Sequence, residues 1–91
     1  MHGEFKTPGG KLVVVDFDVH NERLNNVMVS GDFFLYPEET LERINAALED
    51  MPVASSEDEM LRCLEDAIPD DAALVGFSPG AVVTAVIRGL A

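Results

Sequence analysis

Apolar and polar residues alternate through the first third of the chain and recur at helical spacing after it. Between Lys11 and Val19, Val13, Val15, Phe17 and Val19 fall on one face, with Asp16 and Asp18 on the other. A period of two with acids turned outward predicts a half-buried strand. Gly3 to Thr7 is a shorter candidate strand, set off by the turn signal Pro8-Gly9-Gly10. His20 to Arg23 is a polar reversal, and Leu24 to Phe33 continues with Val27, Val29 and Phe33 on one face. The three runs predict an antiparallel meander. The period then changes. Pro37 suits a first helical position, Glu38 and Glu39 suit the positive end of a helix dipole, and Leu41, Ile44, Leu48 and Met51 recur until Pro52. Ser56 and Glu59 have capping-box spacing ahead of Met60, Leu61, Leu64 and Ile68. Ser78-Pro79 opens a last helix that buries Val82, Val83, Val86, Ile87 and Leu90, with Gly89 expected to loosen its end. Strands first and helices afterwards predict an α+β fold. It is a three-stranded antiparallel meander with one face covered by three helices, forming one domain over residues 1–91.

Composition narrows what such a domain can do. Ninety-one residues, 47% of them apolar, supply one core and leave little room for an enclosed active site. Seventeen acidic residues against six Lys and Arg give a net charge of −11. That is the wrong sign for gripping a nucleic-acid backbone or an anionic membrane surface. The bases are mostly arginine, with only Lys6 and Lys11 as lysines. A carboxylate-rich, lysine-poor surface suits either concentrated salt, where self-repulsion is screened, or an ordinary acidic domain. No apolar run is long enough to span a bilayer and Met1 to Thr7 lacks the apolar stretch of a secretion signal, so a cytoplasmic protein is expected.

Candidate chemistry is sparse. Cys63 is the single cysteine, which excludes a disulfide framework or a multi-cysteine metal site within one chain. Its place one position from an apolar stripe predicts a partly buried structural thiol. His2 is terminal and expected to be mobile, and His20 sits in a reversal; neither has metal-ligand spacing. Glu57-Asp58-Glu59 and Asp70-Asp71 read as solvated helix starts and loops. No nucleophile–base arrangement can be assembled, so the chain alone is expected to be non-catalytic.

Two stretches remain. In the first, Lys6-Thr7-Pro8-Gly9-Gly10-Lys11, a symmetric turn at Pro8-Gly9 would set Lys6 opposite Lys11. Like charges in that position destabilise a sheet unless an anion lies between them, and the N–H groups of Gly9 and Gly10 would help to hold one. The competing reading is an edge strand protected by its lysines. The string lacks the spacing of a Walker loop. The second stretch is Gly31-Asp32-Phe33-Phe34, running on through Leu35-Tyr36-Pro37 to Glu38-Glu39. A glycine in a strand pattern suggests a bulge or a close backbone approach. Either one of the adjacent phenylalanines faces outward as an interface aromatic, or both belong to the core and Asp32 merely caps the turn.

Together these stretches resemble the C-terminal accessory domain of lipoate–protein ligases. The resemblance rests on Lys6-Thr7-Pro8-Gly9-Gly10-Lys11-Leu12, on Gly31 through Glu39, and on Gly76-Phe77-Ser78-Pro79 before the last helix. It covers nearly the whole chain, although Gly80 stands where an acidic residue would be expected. It implies a fold similar to the sulfur-acceptor and iron–sulfur scaffold proteins. Because the domain begins at Met1, it also implies the split form of the ligase, with this chain as a separate small subunit. A large catalytic subunit would then be its partner, lipoyl-acceptor domains would be met only indirectly, and ATP, magnesium and lipoate would be bound in the complex rather than by this chain alone. The implied role is in activating lipoate to lipoyl-adenylate. A stand-alone scaffold or interaction module of the same fold is the alternative. Lone Cys63 argues against a cluster scaffold, which needs several thiolates.

Overall fold

A computed structural model describes residues 1–8 and 11–91. Strands β1 (His2–Lys6), β2 (Leu12–His20) and β3 (Arg23–Gly31) form an antiparallel sheet in the order β1-β2-β3. Asn21 and Glu22 connect β2 to β3 with φ values of 52° and 62°. Two positive φ angles are what a two-residue hairpin of matching twist requires, and asparagine tolerates them well. A bulge between Asp16 and Asp18 shifts the register of β2 against β3. Val13, Val15, Phe17, Val27 and Val29 are buried on the covered face as the alternation predicts, Leu24 joins them across the positive φ of Asn26, and Val19 is exposed at the hairpin end.

The three helices are α1 (Glu39–Leu48), α2 (Glu57–Ala67) and α3 (Pro79–Leu90). Helix α1 begins two residues later than Pro37 suggests. The Pro37 and Glu38 carbonyls instead accept from the Thr40 and Leu41 N–H groups at 3.0 and 3.2 Å. The capping box of α2 is present in both halves. Ser56 Oγ accepts the Glu59 N–H at 3.2 Å, and Glu59 Oε1 accepts the Ser56 N–H at 3.1 Å. Ser78 caps α3 by accepting the Ala81 N–H at 3.1 Å. Helices α1 and α3 lie on the sheet, α1 against β3 and α3 against β1 and β2, while α2 packs against both helices. Ile44, Leu48, Met60, Leu64, Val82 and Val86 close one apolar cluster with the strand residues.

Glycine decides how near α3 comes to the sheet. A Cβ at Gly3 would overlap the Ala85 carbonyl, and one at Gly89 would lie 2.8 Å from the Phe17 ring. Gly89 therefore serves close packing rather than a loosened helix end. The outer edge of β3 is closed by other means. Leu24 exchanges backbone bonds with Met51 and Asp50 at 2.9 and 2.7 Å. The Glu49 carboxylate accepts the Asn26 and Val27 N–H groups, both at 3.0 Å, and Asn45 Oδ1 accepts the Val29 N–H at 2.9 Å. A short second sheet, absent from the periodicity, completes the fold. Strand β4 (Phe34–Tyr36) pairs antiparallel with β5 (Ala73–Val75).

Candidate functional site

The two sequence stretches meet at one end of the molecule. Strand β3 stops at Gly31, whose φ is +147° and whose absent Cβ would overlap the Leu12 carbonyl oxygen. Only glycine lets the chain press so closely on the start of β2 and leave the sheet there. The Asp32 N–H then donates to that same Leu12 carbonyl at 3.0 Å, and the Asp32 side chain is exposed.

Beyond Gly31 the adjacent phenylalanines part. Phe33 turns inward, half-buried, with its ring centroid 4.8 Å from that of Phe77 and tilted by 55°. Phe34 turns outward. Within the β4–β5 ribbon, Phe34 pairs with Val75, Leu35 with Leu74 and Tyr36 with Ala73. Leu35 is buried, whereas Phe34, Tyr36 and Val75 are 59%, 63% and 56% exposed. The strand alternation therefore anchors the ribbon through its middle residues and presents aromatics to solvent.

The hairpin corrects one expectation. Phe5 pairs with Val13 and Lys6 with Leu12, so Lys6 does not stand opposite Lys11. Thr7 is the residue opposite Lys11: its N–H and hydroxyl both donate to the Lys11 carbonyl, at 2.8 and 3.1 Å. Closing the register at Thr7 leaves three residues between the strands rather than a symmetric turn at Pro8-Gly9, and the cross-strand lysine pair is not made. Gly9 and Gly10 lie outside the described residues, and Pro8 is exposed. Neighbours along a strand face opposite sides, so Lys11 points away from the face that Lys6 shares with Leu12. The stem of Lys11 lies on Gly76, where a Cβ would be 3.2 Å from its Cδ. Gly76 has a φ of +70° and leads into Phe77. Lys11, Gly31, Phe33, Gly76 and Phe77 thus form one junction beneath the ribbon.

The other candidates lie elsewhere. His2 is held, not mobile: Nδ1 is 2.6 Å from Asp16 Oδ1 and Nε2 is 3.0 Å from Glu4 Oε2. Its pKa is raised, mainly by the hydrogen bond to Glu4 and next by that to Asp16. The Glu59 carboxyl is lowered, mainly by the Ser56 backbone N–H it accepts within the capping box. Cys63 is exposed on α2, contrary to the expected partial burial, and its Sγ is 3.8 Å from the Ala47 carbonyl. Among the described residues there is no group of three side chains placed to hold a metal ion, and no helix is long and apolar enough to cross a membrane. An open hollow of about 290 Å³ lies between α2, β5 and the start of α3, walled by Glu65, Ile68, Pro69, Asp70, Leu74 and Pro79.

Tyr36 and Val75 are surface residues that sequence reasoning passed over. Phe34-Leu35-Tyr36 and Ala73-Leu74-Val75 each carry a signal only three residues long, too short for a period to register.

No protein-family model and no curated protein matches this chain. Its fold does occur in a solved structure of an archaeal lipoylation system from Thermoplasma acidophilum, described as a bipartite lipoate protein ligase and its E2 lipoyl domain. A chain of that structure superposes with a TM-score of 0.70 at 21% identity, over 94% of this chain and 97% of that one. The two share an α+β fold across almost their full lengths.

Proposed function

We propose that this chain is the accessory subunit of a split lipoate–protein ligase, acting with a separate catalytic subunit in the ATP-dependent activation of lipoate. The observation that carries the reading is the full-length likeness to a chain of similar size from a bipartite ligase system. The junction of Lys11, Gly31, Phe33 and Gly76 supports it, because the motif-bearing stretches converge there.

In the activation step a lipoate carboxylate oxygen attacks the α-phosphorus of ATP. An acyl–phosphate bond forms, the bond to the β-phosphate oxygen breaks, and pyrophosphate leaves with the electron pair. The catalytic subunit holds lipoate and magnesium-bound ATP. This chain contributes position and charge. Lys11 is braced by its stem on Gly76, so docking presents its ammonium group in a fixed place beside the phosphates. Lys6 points to the opposite face of the sheet from Lys11 and is left out of that role. The corner at Gly31 and Asp32 meets the catalytic subunit through Phe34, while Phe33 supports the corner from inside. Acceptor lipoyl domains meet the catalytic subunit and not this chain.

The test is lipoate-dependent pyrophosphate release by the catalytic subunit with and without this chain. Lys11→Met keeps the stem on Gly76 and removes the charge. It should lower the activation rate at saturating partner by about 100-fold, the size of one lost electrostatic donor. Transfer from pre-formed lipoyl-adenylate should be unchanged. Full rate restored by excess partner would make Lys11 a docking residue only. Absence of any effect of the chain on pyrophosphate release would overturn the ligase reading.

A further inference from the structure

We infer that the outward face of the β4–β5 ribbon docks against an apolar recess with a basic rim on the catalytic subunit, which rests on the ligase reading above. The face consists of Phe34, Tyr36 and Val75, each more than half exposed. Phe34 and Val75 are cross-strand partners, and Tyr36 follows Phe34 by two residues on the same side. Side chains so related stand within about 4.5–7 Å of one another, so the three make one patch rather than scattered contacts. Two aromatics beside a β-branched residue match the composition of interface centres, where aromatics carry most of the binding energy. The fold does not need them outside. Leu35 and Leu74 already tie the ribbon to the core.

The charges around the patch select the occupant. Exposed Asp32 precedes β4, exposed Glu38 and Glu39 follow it, and exposed Asp70 and Asp71 precede β5. A second copy docked face to face would set these carboxylates against their own equivalents, on two chains that each carry −11. A small molecule would find no walls, since the hollow is lined by inward-side Leu74 and not by the three exposed residues. A protein recess ringed by Arg and Lys satisfies both the apolar centre and the acidic surround. Val75 adjoins Gly76, on which Lys11 rests, so the same docking carries Lys11 to the margin of the contact.

The experiment measures binding of the full-length chain to the catalytic subunit by calorimetry at low and high salt. Phe34→Ala with Tyr36→Ala should weaken binding by about 30-fold or more, the size of a lost hot spot, with the circular dichroism spectrum unchanged. Met28→Ala, at an equally exposed site on the uncovered face of the three-stranded sheet, should leave affinity as it was. Glu38→Gln with Glu39→Gln should weaken binding at low salt and flatten its salt dependence. Wild-type binding with an unaffected ribbon variant would overturn the inference and leave the ligase reading standing. A loss caused by Met28→Ala instead would move the contact to the other sheet. Tighter binding after neutralising Glu38 and Glu39 would refute a basic rim. Self-association of the chain, abolished by the ribbon variant, would make a second copy the occupant. Failure of the wild-type chain to bind the catalytic subunit at any salt would remove the ligase reading and this inference with it.

Discussion

Along the outer edge of β3, from Leu24 to Val29, backbone N–H groups are taken up by Met51, Glu49 and Asn45. On the outward side of the β4–β5 ribbon, two aromatics and a valine meet water with nothing over them among the described residues. Both regions are β-structure in one small chain, and their surfaces are managed in opposite ways. An unprotected strand edge invites pairing with other chains, so closing it serves solubility and fold. An apolar patch left open beside a closed edge is what the proposed docking uses. The core under the main sheet carries the stability, and in the docking proposed above the ribbon carries recognition.

The sharpest way to break that division is through stability. Leu24, fully buried at the start of β3, should cost about 3 kcal/mol when replaced by alanine, read from urea denaturation. Glu49→Ala should cost about 2 kcal/mol, because the N–H groups of Asn26 and Val27 lose their acceptor together. It should also make the protein associate with rising concentration as the β3 edge opens, visible by light scattering.

A smaller effect is expected at His2. Its pKa is raised in the fold, so its bonds to Glu4 and Asp16 stabilise β1 fully below the ordinary histidine value. That contribution is lost as pH rises through the raised value. The urea midpoints of wild type and His2→Gln should therefore differ in mild acid and converge in alkali. A constant difference across that range would show that the contacts act by packing alone. Phe34→Ala should have the least effect of all on stability, within about 0.5 kcal/mol, since the ring covers no core. A loss of core size would mean that the ribbon belongs to the stability side of the comparison.

The meander, its buried face and the three helices were legible because each is long enough for a period to emerge. The capping box at Ser56 and Glu59 was legible because its geometry is entirely local. Tertiary context decided the rest. The period of two that placed Val19 with Phe17 says nothing about where the covering helices end. The Pro-Gly-Gly signal marks a turn without fixing its length, and one residue of register separates the expected Lys6–Lys11 pair from the observed Lys6–Leu12 pair. Phe33 and Phe34 could be told apart only once β5, about forty positions further along the chain, paired with β4 and set which ring faces out. Cys63 lies one position from a buried stripe, and on a helix that step of about 100° is enough to reach solvent.

The close seating of Gly3 and Gly89 has a kinetic side. It joins the first strand to the last helix across nearly the whole sequence, so the β1–α3 seam cannot form until the chain has closed its longest loop. The β2–β3 hairpin and the capped α2 can assemble from neighbours alone, whereas β1 has to wait for α3. In refolding, amide protection should therefore arrive in the hairpin before it arrives in β1. A bulky residue at Gly3 would act chiefly after the transition state, quickening unfolding while leaving the early hairpin untouched.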